Sequence, residues 1–540
     1  MQKLPLGIQG FRKVVEGDYV YADKTQYVYN LINDASYYFL SRPRRFGKSL
    51  LLDTISEAFS GDKELFKGLY LYDSDYDFKK HPVLRLDMSN ISNETPDILK
   101  YSLSIVLKER AKHEGLDVEA MGEIPSDIFK FLIIGLYRKY ERNVVVLIDE
   151  YDKPILDRLS NLEVAEANRD ILRGFYGILK SMDPYLRLTL ITGVTKFTKT
   201  SIFSELNNLF DITLTEEYSN ICGITTGDLD KSFSEHIEAL TASGKFGDFA
   251  NLREKILSWY DGYSWDGATR VINPFSLLSF FKQKRFSGFW YSSGTPKFLM
   301  DLIKNRQEGY INLKNLEMGE WTLDIFDIRN IEVEALLFQT GYLTVKDILP
   351  EHEPPVYLLD MPNFEVRIAF NLHILAEFTE KGGNFAETAY RRMKDALKTG
   401  DLQSMLATMK GLFASIPYQL HIGHEAYYHS IFYAIMNLLG FDIEAEVSVS
   451  GGRIDGVLEL DDKVYIIEFK YDNCAPDASP ETKQKLFEKS LSEGMRQIEE
   501  KGYCKKYLGS GKTVHQVAFS FLGRDNIDMS VKTPPVSQPF

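Results

Sequence analysis

The sequence predicts an α/β protein: an N-terminal P-loop NTPase parallel sheet over residues 1–220, a mainly helical middle region over 221–390, and a C-terminal α/β domain over 391–540. Three observations predict it. Short apolar runs rich in β-branched residues alternate with helical stretches in the first part, the pattern of strands buried on both faces of a parallel sheet. Helical stretches joined by aromatic and glycine loops mark the second part, and a hairpin with charge on one face marks the third. A chain of 540 residues is also too long for a single hydrophobic core.

Taken in order, residues 37–60 read as strand (YYFLS), loop (RPRRFGKS) and helix (LLDTISEAFSG). A second strand, HPVLRLDMS, ends near Asp87, and amphipathic helical stretches follow to about residue 140. NVVVLIDE (143–150) and LRLTLITG (186–193) are buried-strand runs separated by a helical stretch at 163–182. The loops WYDGYSWDG (259–267) and FWYSSGTP (289–296) punctuate the middle region and are expected to pack in its core, with nucleic-acid contact as the alternative. PEHEPP (350–355) reads as a turn or short linker. Helical patterns resume at 385–415, residues 421–470 read as a helix followed by three strands, and the tail TPPVSQPF is expected to fray.

The loop after the first strand carries chemistry. A phosphate-binding loop needs backbone N–H groups at a helix N-terminus, a lysine that reaches the phosphates and a hydroxyl that ligates Mg²⁺. Gly47, Lys48 and Ser49 supply the second half of that pattern, whereas its leading glycine is replaced by Arg42. Arg42, Arg44 and Arg45 crowd the loop with positive charge, which suits either phosphate contact or a basic surface turn. Downstream, VVVLIDE ends a strand in Asp149, placed to hold Mg²⁺, and Glu150, placed to polarise water. Thr192, at the end of the later strand, stands where a polar residue senses a γ-phosphate. The expected ligands are ATP and Mg²⁺.

Residues 453–470, RIDGVLELDDKVYIIEFK, read as two strands joined at Asp461–Asp462. If Leu460 pairs with Lys463, Asp455 lies across from Glu468, and alternation puts Lys470 on the same face. Like charges opposite one another destabilise a sheet unless something neutralises them, and a divalent cation is the simplest neutraliser. A lysine beside such a cation suits phosphodiester hydrolysis. The alternative is a solvated hairpin with Lys470 as a plain ion-pair partner. Glu425 and His429, at i and i+4 on the preceding helix, add an acid and a candidate ligand.

Bulk properties restrict the classes. The opening MQKLPLGIQGFRK lacks the apolar segment of a secretory signal, and no apolar run is long enough to span a bilayer. Cys222, Cys474 and Cys504 are far apart and read as free thiols of a reducing cytoplasm. The net charge of −14, with acids outnumbering bases even in residues 421–540, means that nucleic-acid contact must come from a local cluster, a bound cation or a partner.

Together these motifs resemble, over nearly the whole chain, a bacterial family that joins an AAA-ATPase-like domain to a C-terminal PD-(D/E)xK nuclease-superfamily domain. The resemblance rests on LPLGIQGF with YADKT, SRPRRFGKSLLL, VVVLIDEYDKPI, ITGVTKFTKTSIFSELNNL, WYDGYSWDG with NPFSLL, EAYYHS, and GRIDGVLELDDKVYIIEFK. It implies that the nuclease acids and lysine fall on Asp455, Glu468 and Lys470, and the helix glutamate on Glu425. Gln497, in MRQIEEKGY, falls on a further motif glutamine followed by a tyrosine, here Tyr503. Ile454 stands where the motif name has proline. The implied activity is an ATP-controlled nuclease using Mg²⁺ or Mn²⁺ on nucleic acid, DNA ahead of RNA, in a form compatible with a homo-oligomer. The competing readings are a nucleotide-switched scaffold whose nuclease fold does not cut, and an ATPase that remodels another protein.

Overall fold

A computed structural model describes the chain except residues 197–201, 204–205, 291–312, 314, 324–327, 330, 350–351, 380, 416–431, 433, 441, 447–452, 473, 476–477, 502–506, 508–510, 523–525 and 535–540. Side chains are described for the remainder apart from those of residues 120, 378, 442–446, 453–455 and 501. The described residues fall into two compact units, one within residues 1–290 and 313–366, the other within 367–540.

The first unit is built on five parallel strands, β1 (Tyr37–Ser41), β2 (Val83–Asp87), β3 (Val144–Asp149), β4 (Leu186–Gly193) and β5 (Phe210–Asp211), in the order β2-β3-β4-β1-β5. Every residue of β1 and β3 is buried, which is why they read as unbroken apolar runs, whereas the edge strand β2 alternates. β4 lies between β1 and β3, so the loop after β1 and the acids after β3 open at the same sheet end with Thr192 between them. The helix Lys48–Ala58 leaves β1 through Gly47, whose φ of 95° is the left-handed region a glycine enters without strain. Proline opens the helices Pro96–His113 and Pro125–Tyr140, and Asn161 caps Leu162–Ser181 by accepting from Val164 N.

Further along the same unit, helices Thr226–Ser232, Ser234–Thr241, Phe249–Tyr260 and Pro274–Gln283 close on a core that includes Phe233, Leu252, Tyr260 and Phe280. Leu4 and Leu6 of the N-terminal LPLGIQGF pack against it. A small antiparallel sheet follows: β6 (Leu316–Gly319), β7 (Thr344–Leu349) and β8 (Val356–Asp360), in the order β6-β8-β7. β7 and β8 are hydrogen-bonded antiparallel neighbours, so the chain between them joins two strands of one sheet.

The second unit contains helices Gly383–Thr399 and Leu402–Phe413 and a five-stranded sheet. Its strands are β9 (Asp442–Glu446), β10 (Arg453–Glu459), β11 (Lys463–Asp472), β12 (Thr513–Leu522) and β13 (Asn526–Lys532), ordered β13-β12-β11-β10-β9. Only β11 and β12 are parallel, and the helix Pro480–Lys501 makes the crossover between them. That helix covers the face carrying Val464, Ile466 and Val514, while Phe469, Phe519 and Phe521 of the opposite face pack with Phe432. Cys222 and Cys474 are free thiols; Cys504 lies outside the described residues. Among the described residues, no helix is long and apolar enough to cross a membrane.

Candidate functional site

The loop 42–47 is shaped from below. Arg42 is fully buried and donates through its guanidinium to the carbonyls of Ser41 (2.9 Å), Thr213 (2.8 Å) and Tyr218 (3.0 Å), with its charge over the Trp265 ring at 3.9 Å. Burial pushes its pKa down to about 10, so it stays charged at neutral pH. The arginine that replaces the first loop glycine is therefore an internal strut, and the phosphate-contact option does not hold for it. Replacing Arg42 with Met leaves these carbonyls buried without donors, and a loss of about 3–5 kcal/mol is expected. Thermal unfolding checks this; an unchanged melting temperature refutes the strut.

Arg44 and Arg45, by contrast, are exposed. The Arg45 guanidinium lies 3.7 Å from the Phe275 ring centroid, and the Arg44 carbonyl accepts from the Trp290 indole at 3.2 Å. Phe46 sits edge-on to Tyr263 and Trp265. The aromatic motifs 259–267 and 273–278 thus form the floor of the loop. Trp290 continues that contact, with its backbone N–H on the buried Glu365 at 2.8 Å; Phe289 is buried in the helical core, and residues 291–296 lie outside the described residues.

Lys48 is buried, and its ammonium donates to the loop's own carbonyls at Arg42 (2.8 Å) and Pro43 (3.1 Å). Burial lowers its pKa against the raising effect of Asp149 and Glu150. Ser49 Oγ donates to one oxygen of Asp149 at 2.6 Å, and Thr192 Oγ1 to the other at 2.8 Å. The structure therefore brings Ser49, Asp149 and Thr192 together at the N-terminus of the helix Lys48–Ala58. A hydroxyl and a carboxylate side by side are the hard oxygen ligands Mg²⁺ takes. Glu150 follows in the left-handed region (φ 51°), its pKa raised chiefly by burial.

Sequence reasoning missed Asp152. It is buried and accepts from Val194 N (3.0 Å), Thr195 N (2.7 Å) and Thr195 Oγ1 (2.6 Å), which ties the end of β3 to the end of β4. An acid just after a buried strand was the available signal, but its partners are 43 residues away for Thr195.

In the second unit Leu460 N donates to Lys463 O at 2.8 Å, closing the two-residue turn, and Asp455 is the register partner of Glu468. Glu468 is 1% exposed and pairs with the Lys470 ammonium at 3.1 Å. Lys470 also donates to the Gln497 side chain on the crossover helix. Gly494 lets that helix approach: a Cβ there would lie 3.0 Å from Ala518 Cβ and 3.6 Å from Lys470 Cγ. The structure thus joins Glu468, Lys470 and Gln497 through side-chain contacts and Asp455 through backbone register. The side chain of Asp455, and all of Glu425, His429 and Tyr503, lie outside the described residues. Among the described residues no three His, Cys, Asp or Glu side chains form a ready metal cluster.

Comparison with known proteins finds a family match in each part of the chain. Residues 5–203 match the family model described as "Predicted AAA-ATPase", and residues 423–529 match that of the "PD-(D/E)XK nuclease superfamily". Over 529 residues the chain is 36% identical to an "Uncharacterized protein in vnfD 5'region" of Azotobacter chroococcum mcd 1, covering 96% of each chain. No solved structure matches.

Proposed function

Because the chain belongs to the family that joins an AAA-ATPase-like domain to a PD-(D/E)XK nuclease-superfamily domain, we propose that it is an ATP-controlled, metal-dependent nuclease. The observation that carries this reading is Glu468: a carboxylate 1% exposed, in an apolar strand, opposite Asp455 and ion-paired with Lys470. Such a group is costly to bury for packing alone. A divalent cation, Mg²⁺ or Mn²⁺, would be held by Asp455, Glu468 and Glu425, and when bound it supplies Lewis acidity and a water of lowered pKa. Lys470 then orients the attacking water and neutralises charge on the phosphate, and Gln497 holds the lysine in line.

In the nucleotide site, Lys48 exchanges the Arg42 and Pro43 carbonyls for phosphate oxygens, and the exposed Arg44 and Arg45 add positive charge at the mouth. Ser49 and Asp149 would hold Mg²⁺, Thr192 reads the terminal phosphate through Asp149, and Glu150 positions the hydrolytic water. In this reading residues 1–220 bind nucleotide, 221–390 act as lid and connector, and 391–540 cut nucleic acid, DNA ahead of RNA, in the cytoplasm. Homo-oligomers are compatible with it.

The net charge of −14 favours one competing reading, a nucleotide-switched scaffold whose nuclease fold does not cut. Incubating the full chain with labelled single- and double-stranded DNA and RNA, with Mg²⁺ or Mn²⁺ and with or without ATP, separates the two. Metal-dependent cutting whose rate responds to ATP is the expected result. ATP binding without cutting on any substrate would leave the scaffold.

A further inference from the structure

The crossover helix Pro480–Lys501 links two parallel strands and therefore runs antiparallel to both. Gly494 places it directly over Ala518, Glu468 and Lys470. One turn earlier, about 6 Å along the axis, the same helix face presents Ser490. Two residues further along β12, about 6.6 Å, the same sheet face presents Ser520, the register partner of Lys470. Because helix and strand run in opposite senses, both steps lead to one level of the interface, beside the lysine. Ser490 is 3% exposed and Ser520 fully buried, and neither hydroxyl has a hydrogen-bond partner among the described residues. Buried hydroxyls normally find partners, and two without one at the same level mark a place kept for a polar group.

We propose that Ser490 and Ser520 are positioning residues that form a second station for the Lys470 ammonium. In the structure Lys470 is engaged with Glu468 and Gln497. For Glu468 to serve as a ligand, Lys470 has to release it while staying in the site. An ammonium has three donors; at this second station the two serine oxygens accept two of them, one turn before Gly494 on the helix and away from Gln497, which lies about one turn after it. The inference rests on the nuclease reading above and goes beyond it by stating where the lysine stands when the carboxylate is engaged.

The test is a Ser490→Ala/Ser520→Ala double variant of the full chain, measured in three ways. Without metal, its melting temperature is expected to equal or exceed the parent's, because the hydroxyls removed have no partners to lose. Mn²⁺ affinity by titration calorimetry is expected to fall about tenfold, the lower end of what losing an outer support of a metal ligand costs. Cleavage at saturating Mn²⁺ is expected to fall by a similar factor. A lowered melting temperature with unchanged Mn²⁺ affinity would assign the serines to packing and overturn the inference. So would a variant that matches a parent able to bind Mn²⁺ and cut. A parent that neither binds Mn²⁺ nor cuts any substrate would overturn the nuclease reading itself, and this inference with it.

Discussion

Glu468→Gln is expected to lower metal-dependent cleavage by about a thousandfold, with ATP binding and the fold intact. A metal's stabilisation of phosphoryl charge amounts to several kcal/mol, and each ~1.4 kcal/mol is a factor of ten in rate. The substitution keeps the shape and removes only the anion. Lys470 loses its anion but keeps Gln497 and 18% exposure of its own side chain, so the melting temperature is expected to fall less than on removal of the lysine. Lys470→Ala is a poorer probe, because it strands Glu468 at 1% exposure without its cation and is expected to destabilise the unit by about 3–5 kcal/mol. Cleavage measured alongside circular dichroism melting distinguishes lost chemistry from lost fold. A Glu468→Gln protein that cuts at the parental rate would remove the hairpin from the mechanism.

Lys48→Ala is expected to weaken ATP binding about a hundredfold, since hydrogen bonds to charged groups contribute about 1.5–3 kcal/mol each. The stability cost is expected to be modest, because the carbonyls of Arg42 and Pro43 lose one ammonium while Arg42 keeps the loop braced through Thr213 and Tyr218. Titration calorimetry with Mg·ATP measures the affinity. Cleavage by the same variant is expected to persist at its basal level and to lose its response to ATP. Unchanged ATP affinity would show that the arginine-rich loop is not the nucleotide site.

Ser49→Ala separates the nucleotide from its ion. It deletes the hydroxyl that meets Asp149 at 2.6 Å, so ATP affinity is expected to become insensitive to Mg²⁺ instead of disappearing. Calorimetry with and without Mg²⁺ decides; a parental Mg²⁺ response would place the ion elsewhere.

How much of this was legible follows from which partners are local. The buried parallel strands are legible along the chain, because β1 and β3 are covered on both faces and so show unbroken apolar runs. So is the register that sets Asp455 across from Glu468, because a two-residue turn and a period of two leave one solution. The role of Arg42, by contrast, is set by contacts with distant segments. A charge in a loop reads as solvated or ligand-binding, and nothing near it in sequence announces the carbonyls of Thr213 and Tyr218 or the ring of Trp265. The same holds for Asp152, whose three donors come from the end of β4, and for Ser490 and Ser520, which share a level only because a crossover helix runs against its strands. Periodicity is a property of neighbours along the chain. The partner that satisfies a buried polar group is set by which distant segments the fold brings to it.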